Sequence, residues 1–149
     1  MPLDLINGGE PLPGLLTSGQ PSQANMEALA AGGVRTIIDL RDPMEPRPFD
    51  EPATVKQSGM KYVNVSVRQG ALDDATMDDA LEAIRRGAAH PMLVHCASAN
   101  RVGAVLIPYL MIDKGMGEDD AVEAAMKVGL RSADLLEWAL EYTQRKTGG

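Results

Sequence analysis

The sequence predicts an α/β fold built on a mostly parallel sheet of about four to five strands flanked by helices. Short apolar segments rich in β-branched residues have the length and composition of strands, at residues 34–40, 61–67 and 91–95. Segments with helical periodicity lie between these strands and follow the last one. Strands that alternate with helices are typical of parallel sheets, because each crossover lays a helix on one face of the sheet.

The predicted helices follow from capping residues and apolar faces. Ser22 is a good N-cap for a helix to residue 31, and Asp74 is expected to cap another that begins beside it. Further helices are expected at residues 53–58, 102–114, 118–128 and 132–145. Pro108 lies inside one of these and should kink it, because proline cannot donate the next backbone hydrogen bond.

Two segments are expected to be irregular within a single domain spanning residues 1–149, a length that suits one core. Residues 1–14 are rich in Gly and Pro. Residues 41–52 contain four prolines, which excludes a helix interior or a central strand. Long loops in small domains are usually functional, so we expect residues 41–52 to shape a binding site.

Composition excludes several classes of function. The net charge of −7 argues against a nucleic-acid partner, which needs clustered Lys and Arg. No apolar stretch approaches a membrane span, and the start shows no signal-peptide pattern, so the cytoplasm is expected, with the periplasm as the alternative. A single cysteine excludes an internal disulfide, and the spacing of His, Cys and acidic residues predicts no metal site or cofactor.

Chemistry-bearing residues follow the predicted strands. The loops after them begin with Arg41, Arg68 and Cys96. In parallel sheets, ligands bind beyond the carboxyl ends of the strands, so two cations and a thiol should gather at one edge. Arg41 and Arg68 are therefore candidate substrate contacts.

The segment LVHCASANRVGA carries the strongest signal. A strand delivers His95 and Cys96, small residues make a tight turn, and Arg101 opens a helix; the loop comprises His95, Ala97, Ser98, Ala99, Asn100 and Val102 around the Cys and Arg. Backbone N–H groups at a helix N-terminus form a cradle for an anion, and their positive potential favours a nucleophilic thiolate. The guanidinium of Arg101 can bind two oxygens of a phosphate-like group. His95 is expected to order this loop or tune the thiol.

This loop resembles that of the cysteine-dependent protein phosphatase superfamily, and HCASANRVG is more similar to the phosphatase-like domain of the beta-lactamase-hydrolase-like family. The phrases TIIDLR and SGQPS support the same resemblance. It implies a compact phosphatase-type fold, a phosphocysteine on Cys96 and a phosphate clamp by Arg101. The implied substrate is a phosphorylated protein or a small-molecule phosphoester.

The sequence departs from the classical phosphatase pattern. Only four residues separate Cys96 from Arg101, Ala99 stands where glycine is usual, and Val102 replaces a common Ser or Thr. The general acid is Asp73 in our interpretation, because Asp74 is assigned to the helix cap; Asp42 and Glu45 are the next candidates.

Two other functions remain open from the sequence. A rhodanese-like sulfurtransferase would form a persulfide on Cys96, and its cysteine loops are about this short. That chemistry also needs no general acid. Alternatively, a catalytically weak module would retain the fold and bind phosphorylated ligands without turnover. The oligomeric state is not predicted.

Overall fold

The computed structural model describes residues 4–148, with a five-stranded sheet at its centre. Its strands are β1 (Gly9–Leu12), β2 (Leu15–Ser18), β3 (Thr36–Asp39), β4 (Lys61–Asn64) and β5 (Met92–His95). The strand order is β1-β2-β5-β3-β4, in which β1 is antiparallel to β2 and every other pair is parallel. The predicted α/β class and mostly parallel sheet are confirmed.

Six α-helices complete the fold of the described residues. They are α1 (Gln23–Ala31), α2 (Glu51–Gln57), α3 (Asp74–Gly87), α4 (Asn100–Pro108), α5 (Glu118–Val128) and α6 (Ala133–Lys146). Ser22 caps α1 as predicted, since its hydroxyl accepts a hydrogen bond from the Asn25 N–H at 3.1 Å. At Pro108 the regular helix gives way to a π-helical turn, Tyr109–Asp113, which is the local disturbance expected from the proline. Within residues 4–148, no helix is long and apolar enough to cross a membrane.

The central strands are buried on both faces, so consecutive residues serve different layers. Ile37 and Leu93 pack with the apolar faces of α1 and α2. Ile38 and Val94 pack on the other face, in the larger cluster that α3 to α6 provide. A strand buried on both sides needs a continuous apolar run, which is why β3 and β5 were readable from the sequence.

Two expectations about local structure are wrong. Residues 1–14 are not wholly irregular, because β1 pairs with β2 and forms an edge strand of the sheet, where Pro11 is tolerated. Residues 1–3 lie outside the described part. The cap of α3 is Asp73 rather than Asp74, since the Asp73 carboxylate accepts the Thr76 N–H at 2.8 Å. Asp73 keeps an extended backbone, with φ −138° and ψ 171°, whereas Asp74 is already helical.

The carboxyl ends of the parallel strands lie level with one another, at one edge of the sheet. In the pairing register, His95 of β5 lies beside Ser18 of β2 and Asp39 of β3, and Asp39 lies beside Asn64 of β4. The loops that carry Arg41, Arg68 and Cys96 therefore leave the same edge, as the sequence predicted. This edge holds the candidate site.

Candidate active site

The loop between β5 and α4 forms a tight turn around a buried thiol. Cys96 is 1% exposed, and its N–H donates to the Ser18 carbonyl at 3.4 Å. Ala99 has a φ of 74°, the left-handed conformation expected at the position where glycine is usual. Val102 is buried in the core and offers no hydroxyl to the site, while Arg101 lies in the first turn of α4.

Neighbouring backbone holds this loop in place. Gly19 lies directly under it, where an added Cβ would come within 2.6 Å of the Ala97 carbonyl oxygen. The same carbonyl accepts the Gln20 N–H at 2.9 Å, and the Asn7 side chain donates to the Ser98 carbonyl at 2.9 Å. The end of β2 therefore needs a glycine for the loop to approach this closely.

Asn100 ties the loop to the start of α6. Its side-chain oxygen accepts the backbone N–H groups of Arg131 at 2.8 Å and of Ser132 at 3.2 Å. Since Asn100 is the first residue of α4, this contact fixes the direction in which α4 leaves the loop. The role of Asn100 seen here is structural.

A carboxylate from the proline-rich loop grips the guanidinium of Arg101. Nη1 of Arg101 lies 2.7 Å from Oε2 of Glu45, and Nη2 lies 3.0 Å from Oε1. The hydrogen bond to Glu45 is the largest cause that raises the pKa of Arg101, while burial opposes this rise. The charge of Cys96 and a hydrogen bond to its side chain raise the pKa of Arg101 further. Arg101 is therefore held at the thiol by a fixed bidentate partner.

Glu45 is in turn surrounded by donors. Besides Arg101, it accepts the Asp42 N–H at 2.7 Å and the Nε–H of Arg41 at 3.3 Å. The hydrogen bond from Arg101 is the largest cause that lowers its pKa, to about 2, against the opposing effect of burial. Glu45 thus links the proline-rich loop to the Cys96–Arg101 loop.

The Glu45 pair should make stability pH-dependent in a defined direction. Because folding lowers its pKa, the contribution of Glu45 is present above the ordinary value of 4.5 and is lost as pH falls towards about 2. We expect Glu45→Gln to lower the free energy of unfolding by on the order of 1–2 kcal/mol at pH 7 and by less at pH 3. Urea unfolding of both proteins at the two pH values measures this, and an equal loss at both would contradict it.

Arg41 and Arg68, the candidate substrate contacts, have different surroundings. Arg41 is buried, and its guanidinium donates to Glu45, to the Gln20 side chain and to the Pro46 carbonyl, so it fastens the proline-rich loop. The Arg68 side chain is 60% exposed and forms an ion pair with Asp42. Arg68 is the one of the two that can reach an incoming ligand without breaking buried contacts.

A surface pocket opens beside the Cys96–Arg101 loop. It has a volume of about 360 Å³ and is lined by Asp42, Glu45, Arg68, Gln69, Ser98 and Arg101, among others. Its wall joins the proline-rich loop, the loop after β4 and the Cys96–Arg101 loop. A substrate that reaches Arg101 through this pocket would therefore meet both charges of the Asp42–Arg68 pair.

Asp73, the general acid of our sequence interpretation, is engaged elsewhere. Its carboxylate caps α3, and the hydrogen bonds from Thr76 lower its pKa, while its carbonyl accepts the Trp138 indole N–H at 3.0 Å. The assignment of Asp73 as acid remains untested, but these contacts argue against it. The reason that set Asp74 aside, a capping role, applies to Asp73 instead.

A buried charge cluster lies beneath the Cys96–Arg101 loop. Side-chain atoms of Asp39, Glu51 and His95 come within 4.8 Å of one another, and these are donor types that can hold a metal ion. Their atoms are already engaged, because His95 Nε2 lies 2.5 Å from Glu51, and Arg47 and Tyr62 donate to Asp39 at 2.7 and 2.6 Å. The contacts define a hydrogen-bonded charge network that supports the loop.

Sequence reasoning missed Asp39 and Glu51 as members of the site and named Glu45 only as a candidate acid. Asp39 lies within the TIIDLR segment, where a buried strand that ends in an aspartate is a usable signal. Glu51 lies near the end of the proline-rich segment, at the start of α2, and carries no recognisable pattern. Its role depends on His95, 44 residues away in the sequence.

Comparison with solved structures identifies the architecture as that of cysteine-based phosphatases. A DUF442 protein of Shewanella putrefaciens CN-32, described as a candidate phosphatase, aligns with a TM-score of 0.80 at 21% identity, covering 95% of this chain and 94% of its own. TpbA of P. aeruginosa in complex with pTyr aligns at 0.72 and 21% identity, covering 93% and 83%. PTPMT1 in complex with PI(5)P aligns at 0.78 and 18% identity, covering 95% and 97%.

The fold and the Cys–Arg loop thus define a cysteine-dependent phosphatase, a hydrolase. Residues 13–140 match the family model described as DSP-PTPase phosphatase fused to NAD+ kinase, and the chain belongs to this family. No curated protein matches the chain in sequence. The family assignment favours phosphoryl transfer over the sulfur transfer that the short loop had left open.

Proposed function

We propose that this protein hydrolyses phosphomonoesters through a phosphocysteine on Cys96, with Arg101 binding the phosphoryl oxygens. The observation that supports this most directly is the placement of the Arg101 guanidinium against Cys96 by Glu45. Glu45 takes an N–H from each terminal nitrogen and the Val67 carbonyl oxygen lies 3.3 Å from Nη1, which leaves Nε–H and one hydrogen on Nη2 for other acceptors. Such a fork matches two oxygens of a phosphoryl group.

The reaction proceeds in two displacements. The Cys96 thiolate attacks phosphorus, the P–O bond to the leaving group breaks, and the leaving oxygen takes a proton from a general acid. Water then attacks the phosphocysteine and gives a proton back to the carboxylate that acted as the acid, the P–S bond breaks, and hydrogen phosphate leaves with the thiolate restored. Backbone N–H groups of the loop and the fork of Arg101 stabilise the equatorial oxygens in both steps.

Asp42 is the general acid of this proposal. It lines the pocket that Arg101 lines, whereas the Asp73 carboxylate is committed to its helix cap. Oδ1 of Asp42 accepts the Met44 N–H at 2.9 Å, and its Oδ2 is paired with Arg68, whose side chain is 60% exposed, so the pair constrains that oxygen only weakly. Protonation of the leaving oxygen matters most for poor leaving groups. Loss of the general acid should therefore slow substrates with poor leaving groups more than substrates with good ones.

We expect Asp42→Asn to slow hydrolysis of phenyl phosphate by about 10²-fold while slowing p-nitrophenyl phosphate by less than about 10-fold. The nitrophenolate ion leaves without a proton, which is the reason for the difference. Steady-state rates on both substrates measure it, with Asp73→Asn as the matched control. Equal losses on the two substrates, or a larger selective loss in the Asp73 variant, would reject Asp42.

We infer the substrate class of this protein from the ligands bound in two solved structures of similar fold. TpbA was solved with pTyr and PTPMT1 with PI(5)P, one a phosphorylated amino acid and the other a phosphorylated lipid headgroup. The pocket beside Arg101 is open and polar, which suits either a phosphorylated protein or a small-molecule phosphoester. We propose a phosphomonoester whose group next to phosphorus reaches the Asp42–Arg68 pair.

Mass spectrometry of the intact protein after brief acid quench tests the proposed intermediate. With p-nitrophenyl phosphate we expect a phosphate adduct on Cys96 and release of nitrophenol over many turnovers. A parallel incubation with thiosulfate tests sulfur transfer. A persulfide without any phosphate adduct would overturn the proposal, and oxyanion binding without either adduct would favour a binding module.

A further inference from the structure

Glu51 is a fully buried carboxylate that touches the residue before the nucleophile. Its Oε2 lies 2.5 Å from Nε2 of His95, and its Oε1 accepts the side-chain N–H of Gln20 at 2.9 Å. The other side of the His95 ring meets the backbone of the residue that carries the nucleophile, since Nδ1 lies 3.3 Å from the Cys96 carbonyl oxygen. His95 therefore bridges Glu51 and Cys96.

The contacts fix how protons are distributed in this bridge. A carbonyl oxygen only accepts, so the proton on Nδ1 points to Cys96, and one further proton lies between Nε2 and Glu51. Arg41 donates to the Gln20 oxygen and thereby turns the Gln20 N–H towards Glu51. Both oxygens of Glu51 thus face a donor, one from Gln20 and one from His95, so the shared proton is assigned to His95.

Asp39 also favours a proton on His95. Its Oδ1 lies 3.9 Å from Nε2 of His95. Burial alone would raise the pKa of Asp39, but the charge of His95 and the hydrogen bonds from Tyr62 and Arg47 outweigh it, and the pKa lies below the ordinary value. Two buried carboxylates thus face one imidazole, and a cationic ring balances their charge.

We propose that Glu51 is a positioning residue that holds the His95 ring as a cation against Cys96 and thereby favours the thiolate. The inference rests on Cys96 being the nucleophile of the proposed function. Glu51 touches no reacting atom in this arrangement. It lies on α2 and acts on Cys96 only through the His95 ring.

The charged groups that bear on this effect come from several elements. Facing His95 are Glu51 from α2 and Asp39 from β3, the latter paired with Arg47 and Tyr62. Facing Cys96 are His95 and Arg101, and Arg101 is paired with Glu45. Because Arg101 is not altered by a change at Glu51, the contribution that passes through His95 can be isolated.

The pH dependence of Cys96 alkylation by iodoacetamide, measured without substrate, tests the proposal. We expect Glu51→Gln, which keeps the shape but not the charge, to move the midpoint of alkylation upwards by about one pH unit. His95→Gln should move it by a similar amount, and Glu51→Gln should then add nothing in that background. Glu82→Gln makes the same change at an exposed position of α3, outside this network, and should leave the midpoint in place.

An unchanged midpoint in folded Glu51→Gln, or an additive shift in the double variant, would overturn the proposal. Nitrogen-15 NMR of the histidine rings in the native protein covers the case in which a variant fails to fold. There are two histidines, and the exposed His90 serves as the reference. We expect both ring nitrogens of His95 to be protonated at neutral pH, and a neutral ring there would refute the inference. Neither measurement requires phosphatase activity, so a failure of the proposed function would be seen separately.

Discussion

Replacing Cys96 by serine is expected to lower turnover of p-nitrophenyl phosphate by ~10⁴-fold or more, because removal of a covalent nucleophile leaves only the contribution of binding and orientation. A serine hydroxyl in the same place is protonated near neutrality and does not attack. The backbone cradle and Arg101 remain, so tungstate or phosphate should still bind within a few-fold of the native affinity.

The two readouts separate the nucleophile from its cradle. Steady-state turnover and intact mass follow the chemistry, and isothermal titration with tungstate follows the oxyanion site. Ser98→Ala, on the exposed part of the same loop, is the matched control and should retain both functions within about 10-fold. Undiminished turnover in Cys96→Ser would show that another residue attacks phosphorus.

The elements of the site that the sequence predicted are those encoded by neighbouring residues. The apolar runs of β3 and β5 predict buried strands, and the small residues between Cys96 and Arg101 predict a tight turn before a helix. Their shared edge then follows from the rules of parallel sheets. The proposed nucleophile and the proposed arginine clamp could therefore be named from the sequence alone.

The remaining parts depend on contacts between distant segments. Glu45 meets Arg101 from 56 residues away, and this depends on how a loop with four prolines folds back, which no periodicity encodes. The exchange of Asp73 for Asp74 at the cap has a smaller cause. Two adjacent aspartates have the same capping chemistry, and only the point at which the backbone turns helical decides between them.

Substituting Arg101 by lysine should be nearly as damaging to catalysis as losing the thiol, although the positive charge is kept. A lysine offers one ammonium in place of a planar fork, so it cannot meet Glu45 and two phosphoryl oxygens together. Removal of one preorganised donor to a developing anion typically costs 10²–10³-fold. We expect Arg101→Lys to lower turnover by about 10³-fold and to weaken tungstate binding, in contrast to Cys96→Ser.

The chain offers a matched control in Arg85. It forms a bidentate pair with Asp113, at 2.8 Å from Nε and 2.7 Å from Nη2, on helix α3. Arg85→Lys therefore makes the same change of side chain and breaks the same kind of pair at a surface site outside the pocket. We expect it to leave turnover and tungstate binding unchanged.

Comparison with Glu45→Gln then shows how Arg101 works. If Glu45 serves to aim the guanidinium, its loss should lower turnover by about 10-fold, less than the loss of the fork itself, and the two changes together should equal Arg101→Lys alone. If Glu45 instead competes with the substrate for the fork, Glu45→Gln should tighten tungstate binding. The bidentate geometry, with donors left free on Arg101, favours the first result. Tighter binding in Glu45→Gln would mean that the proline-rich loop must open before a phosphoryl group can enter.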